Sequence, residues 1–357
     1  MSDLVTRAQI TLLSRTLHVP EEQLAHLEQL GAANLHELQQ RMATVMFAAH
    51  NAIFSRLSML VPIVPLSISI PIVQRVVPPV MAGRAAGAIA VDHPQKAAEA
   101  VSLLDPVYAA QAVPYVDPHS VGQLAEMAPV EPVMRIINEL LARGDHISAG
   151  PFLAYATPTL VQGVEELVHD DEGLIRSASY SYSGTNISVI VRHLLSGPGR
   201  RIPKLVHTIL NGSQELRLAA LSVFARCDSD VVTPIGDILF ELGSTEEIAD
   251  LVRTFLAAAA MPETLRFVAE FSPSALDLLA ANPIVAEPDL IAALVDAADG
   301  STEPAVWRGL LALANRTEPA VAGEFATAVA QLDPAILAQV ADLGLSEELA
   351  ALTARAE

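Results

Sequence analysis

Residues 302–337 read TEPAVWRGLLALANRTEPAVAGEFATAVAQLDPAIL. The pentapeptide Thr-Glu-Pro-Ala-Val stands at 302–306 and again at 317–321, and Asp333-Pro334-Ala335 continues the register. Working outward, Pro273, Pro288, Pro304, Pro319 and Pro334 are spaced by 15, 16, 15 and 15 residues. Proline suits the first turn of a helix, where its missing N–H has no intrahelical partner to lose. Each unit therefore predicts one helix of about three turns followed by a tight turn. Helices this short are marginal alone and need neighbours.

A second array lies upstream with a shorter period. Pro94, Pro106 and Pro118 are spaced by 12, in HPQKAAEAVSLL, DPVYAAQAVPYV and DPHSVGQLAEMA. Apolar residues follow each proline at helical spacing, as in Ala97, Ala98, Val101 and Leu104. Asp105 and Asp117 stand where a carboxylate caps orphan backbone N–H groups, and Pro114 shortens its own helix. Between the arrays, helices are predicted over 133–143, 158–168, 187–195, 203–210, 213–225 and 245–259, with Ser244 or Thr245 and Glu247 or Glu246 as a capping signal. SASYSYSG at 177–184 reads as a loop or extended segment, and 196–200 as a turn. A fixed period of short helices that cannot bury their own faces points to an all-α, right-handed α-solenoid. The expected divisions are 1–56, 57–91, 92–200 and 201–357.

The 12-residue units, with Asp-Pro and paired alanines, resemble the N-terminal superhelical domain of MgtE-type magnesium transporters over residues 92–170. The repeats of the flagellar motor switch protein are similar. The chain carries no CBS pair and no five-helix membrane domain, so magnesium transport does not follow from the resemblance. Residues 273–345 resemble HEAT-type repeats, taken as helix pairs of about 30 residues. That resemblance implies a surface for a partner protein or for self-association.

Composition agrees with helices. Of 357 residues 52% are hydrophobic but only 4% aromatic, so the apolar content is Ala, Leu, Val and Ile. The formal charge is −20. Residues 1–100 balance seven acids against seven bases, so the acidic surplus lies entirely after residue 100. Such a surface repels phosphate backbones and disfavours nucleic acid. Cys227 is the single cysteine, which excludes an internal disulfide and fits a cytoplasmic setting. The first residues read as no secretion signal.

One segment stands apart. From Leu38 to Val91 there is no Asp or Glu, while Arg41, Arg56, Arg75 and Arg84 make it net +4. Residues 57–74, LSMLVPIVPLSISIPIVQ, lack any charge but contain Pro62, Pro65 and Pro71. That length approaches a membrane span, and three interior prolines argue against one. Three readings remain open: a buried irregular core segment, an interfacial hairpin, or a surface that self-associates. In the second, Leu60, Ile63, Ile68 and Ile72 enter the bilayer boundary at the inner face of the membrane. Arg56, Arg75 and Arg84 then meet anionic headgroups.

Chemistry is sparse. Histidines stand beside aspartates at 92–93, 117–119, 145–146 and 169–171, and His169, Asp170 and Asp171 form the most compact candidate for a divalent ion. The competing role for such aspartates is capping. Cys227 lacks a neighbouring base, and Trp307 reads as core. No P-loop, nucleophile elbow, CxxC or HExxH is present, and no cofactor is implied. The sequence thus favours a non-catalytic binding scaffold at a membrane or in a complex. A carrier of a hydrophobic ligand comes second, and an enzyme with a nonlocal site third.

Overall fold

The computed structural model describes residues 3–58, 64–197 and 199–355. Among them every regular element is helical and no strand occurs. The helices fall into two units, Leu4–Arg201 and Ile202–Glu357.

The first unit contains α1 (Leu4–Leu17), α2 (Gly31–Ser58), α3 (Leu66–Val76), α4 (Pro79–Asp92), α5 (Pro94–Leu103) and α6 (Pro106–Ala112). It continues with α7 (Pro118–Gly122), α8 (Val130–Ala142), α9 (His146–Ala149), α10 (Pro158–Leu167), α11 (Asp171–Ser179) and α12 (Gly184–Ser196). Pro94, Pro106 and Pro118 each open a helix, and the Asp105 and Asp117 carboxylates accept from the Tyr108 and Ser120 backbone N–H groups. Pro114 ends α6, which tightens into a 3-10 turn over Val113–Tyr115.

α4 is the hub of this unit, touching α2, α5, α6 and α7. Half of its sequence, PVMAGRAAGAIAVD, is Ala and Gly, which lets neighbours approach closely. A Cβ on Gly83 would sit 2.4 Å from the Ala112 carbonyl of α6. Ile10, Leu13, Leu24 and Leu35 make a core between α1 and α2. Met134, Leu141 and Val168 make another around α8.

Two expectations change here. The segment 177–184 is not wholly a loop, because Ser177–Ser179 continue α11. Asp170 caps that helix through the Gly173 N–H, and Ser177 Oγ donates to the Gly173 carbonyl at 2.8 Å, so its hydroxyl is satisfied within the helix. Pro71, read as an interruption, lies inside α3, where its missing N–H removes one bond of the helix.

The second unit carries α13 (Arg201–Leu210), α14 (Gln214–Phe224), α15 (Ser229–Leu242), α16 (Thr245–Ala257), α17 (Met261–Val268) and α18 (Pro273–Ala280). After these come α19 (Pro288–Asp299), α20 (Pro304–Ala314), α21 (Pro319–Ala330), α22 (Pro334–Val340) and α23 (Ser346–Thr353). All five prolines of the long-period array open a helix. Ser244 and Glu247 form a complete capping box. Helices pack on those two and three places along the chain, as α17 does on α19 and α20. Trp307, Leu310, Leu311 and Phe325 are 0–1% exposed and anchor the core. The Trp307 indole N–H donates to the Ser301 carbonyl at 3.2 Å.

Polar rungs repeat along the same unit. Arg217 meets Asp250 at 2.6 Å, Arg253 meets Glu287 at 3.1 Å, Arg266 meets Glu303 at 2.6 Å and Arg316 meets Asp277 at 2.7 Å, across separations of 33–39 residues. Asn282 and Asn315 donate to the Thr245 and Glu348 carbonyls, at separations of 37 and 33. Exposed ion pairs contribute about 0–1 kcal/mol each, so these rungs set register more than they add stability.

Gly309 of α20 marks the closest approach. A Cβ there would lie 2.1 Å from the Leu265 carbonyl oxygen of α17. Alanine gains about 1 kcal/mol in helix propensity over glycine. Overpacking against backbone costs about 1–3 kcal/mol, and a carbonyl cannot rotate away. Gly309→Ala is therefore expected to lower the thermal unfolding midpoint of the second unit. A raised midpoint by calorimetry would show that α17 and α20 part without cost.

Candidate docking face on the first unit

α3 has two apolar faces. Leu66 and Ile70 point inward and are 7% and 9% exposed. Offset by two residues, the opposite face lies in solvent: Ile68 is 57% exposed, Ile72 58% and Val76 71%, and Val64, just before the helix, is 42% exposed. Positions four apart line up along a helix, so Ile68, Ile72 and Val76 form one stripe, with Val64 in the segment leading into it. Arg75 is exposed beside Val76.

The choice of outward face is fixed from elsewhere in the chain. Gln74 grips the end of α5 and the start of α6 with both ends of its amide. Its Nε2 donates to the Leu103 carbonyl at 3.2 Å, and its Oε1 accepts from the Asp105 N–H at 3.2 Å. The Tyr108 hydroxyl donates to the Val77 carbonyl at 2.8 Å, and burial raises its pKa. These bonds hold the C-terminal end of α3 against α5 and α6. Leu103 and Val107, beside those clamps in sequence, are themselves 42% and 44% exposed.

The expected lipid-contact residues separate on this frame. Ile68 and Ile72 lie on the stripe and Arg75 adjoins it. Arg84 is half-buried on α4 and lines a cleft. Arg56 belongs to α2, and its side chain lies outside the described residues, as do Leu60 and Ile63. Val64, Val76, Gln74 and Tyr108 were missing from the sequence reading. The spacing of four from 64 to 76 carried the signal for the first two; nothing local signals the clamps. No described helix is long and apolar enough to cross a membrane.

The expected metal residues have other occupations. Asp170 caps α11, Asp171 pairs with the buried Arg201 at 2.6 Å, and His169 is exposed. Among the described residues no group of three or more His, Cys, Asp or Glu is gathered to hold a metal ion. Cys227 is half-buried, with its thiol 3.4 Å from the Val223 carbonyl. No family model, curated protein or solved structure matches the chain.

Titratable groups inside the first unit give it a pH dependence. His36 stacks on Tyr182 with ring centroids 4.0 Å apart, and its Nδ1 is 3.2 Å from Oε1 of the fully buried Gln9. Burial lowers the His36 pKa below 6.5. Burial, then the Arg176 charge, lowers that of His146. A group with a depressed folded pKa favours folding while it is neutral. That contribution is present above 6.5 and is lost as pH falls through the folded value. The unfolding midpoint of the first unit should drop as pH is lowered from neutrality. His36→Phe, which keeps a ring against Tyr182 without a titrating group, should flatten the slope. An unchanged slope in that variant would remove His36 from the account.

Proposed function

We propose that the protein is a non-catalytic binding scaffold whose first unit docks peripherally on an anionic membrane through the α3 stripe. The observation that carries this reading is the line Val64, Ile68, Ile72 and Val76, 42–71% exposed. It stands beside Arg75, in a stretch from residue 38 to 91 with four arginines and no acid. Apolar side chains this exposed and contiguous commonly mark an interaction surface. Arg75 beside the stripe, in a stretch of sequence without acids, favours a negatively charged one.

The magnitudes fit reversible attachment. Burying the exposed parts of four aliphatic side chains is worth about 1 kcal/mol each. A basic residue near an anionic surface adds about 1 kcal/mol. The sum is comparable to the marginal binding of one acyl chain, with a partition constant on the order of 10⁴ M⁻¹.

In the same proposal the second unit is a right-handed α-solenoid that presents a helix-lined surface to a partner protein. Support comes from the array of proline-started helices and from the rungs spaced by 33–39 residues. The resemblance to HEAT-type repeats points the same way, as does the MgtE-like pattern in the first unit. Such a protein would work at the cytoplasmic face of the membrane, where the anionic lipids are.

Vesicle flotation tests the docking. The full chain should float with phosphatidylserine-containing vesicles at low salt, float less at high salt, and stay behind with neutral vesicles. Ile68→Glu/Ile72→Glu should abolish flotation without shifting the unfolding midpoint. Equal recovery of both proteins in the soluble fraction would overturn the reading. So would a concentration-dependent dimer that the double substitution dissolves, because the stripe would then serve self-association.

A further inference from the structure

The first unit also contains a cleft with a different chemistry. It holds 170 Å³ and is walled by α1, α2, α4 and the turns at 113–118 and 147–152. Met46, Phe47, Tyr115 and Phe152 supply apolar and aromatic surface, and Arg15 and Arg84 supply the cations. A cavity of about 150 Å³ is enough for one benzene ring, so this space suits a single ring or a short acyl segment.

The two arginines differ in commitment. Arg15 is paired with Asp145 at 3.3 Å. Arg84 is half-buried and, among the described residues, has no carboxylate partner. The acid in the cleft wall, Asp117, accepts the N–H and hydroxyl of Ser120 on its Oδ2 and forms no ion pair with Arg84 among the described residues. A half-buried guanidinium without a counterion bears a desolvation cost that a bound anion would offset. Its planar fork matches a carboxylate with two parallel hydrogen bonds.

His18 stands at the same cleft with φ +56° at the end of α1, a conformation that favours glycine or asparagine. Its ring lies 6.5 Å from that of Tyr115. The left-handed turn brings the imidazole to the cleft wall, where it adds a polar edge beside the aromatic surface.

We propose that this cleft binds a small amphipathic carboxylate, with its carboxylate on Arg84 and its ring or short chain against Met46, Phe47, Tyr115 and Phe152. The inference is independent of membrane docking, since Arg84 lies in the cleft wall and not on the α3 stripe. It makes the protein a ligand-responsive scaffold, because the site joins α1, α2 and α4.

Calorimetric titration of the full chain with phenylacetate tests it, with 2-phenylethanol and inorganic phosphate as controls. Phenylacetate should bind, and each control should bind at least about tenfold more weakly. Arg84→Gln should weaken phenylacetate by about tenfold or more, and Arg84→Lys should fall between. Met46→Trp, which fills the apolar side and leaves both cations, should also abolish binding; its unfolding curve and that of Arg84→Gln check that each variant is folded. No detectable phenylacetate binding would overturn the proposal. Equal affinity for phenylethanol or phosphate would do so too, as would an unaltered affinity in folded Arg84→Gln.

Discussion

The shortness of the helices is the constraint on which the rest depends. Most run to fewer than four turns, α18 to eight residues and α20 to eleven. Segments of that length do not persist in water. Each is held by apolar faces buried against helices further along the chain, and by polar rungs that fix which helices meet. In the second unit this explains where most of the arginines went. Arg217, Arg253, Arg266, Arg308 and Arg316 all reach acids on neighbouring helices or at their ends. Most of the remaining acids are exposed, while Glu263 is buried.

Seen against that constraint, α3 is an exception that asks for a use. Its inner face is buried like that of any other helix, while its outer face is equally apolar and exposed. Gln74 and Tyr108 prevent it from turning over. An outward apolar stripe next to Arg75, in a stretch of sequence without acids, is costly in water and useful at a charged interface. The cleft beside α4 poses the complementary case: a half-buried cation in the wall of a partly aromatic space.

Much of the helical architecture was legible because proline has one strong local effect. All eight prolines of the two arrays start helices, and the aspartates before Pro106 and Pro118 cap them. The same rule failed at Pro71, read as an interruption, which sits inside a helix, as Pro234 also does. Neighbouring helices there supply the packing that compensates for one lost bond. α11 was hidden by its serines, whose hydroxyls bond back into the helix. For the docking face, the charge pattern identified the segment, but α3 is apolar on both sides. Which side faces out depends on partners about 30 residues away, at Leu103, Asp105 and Tyr108. Arg84 was found by its charge, yet its position in a cleft wall arises only when α1, α2 and α4 come together.

The central claim is that the outer face of α3 is a working surface set on an otherwise self-satisfied stack of helices. Hydrogen exchange on the full chain, read by mass spectrometry with and without phosphatidylserine vesicles, tests it most directly. The account predicts added protection confined to residues 64–76 and the adjoining ends of α5 and α6, with the second unit unchanged. Protection that leaves 64–76 untouched, or that spreads evenly over both units, would contradict it.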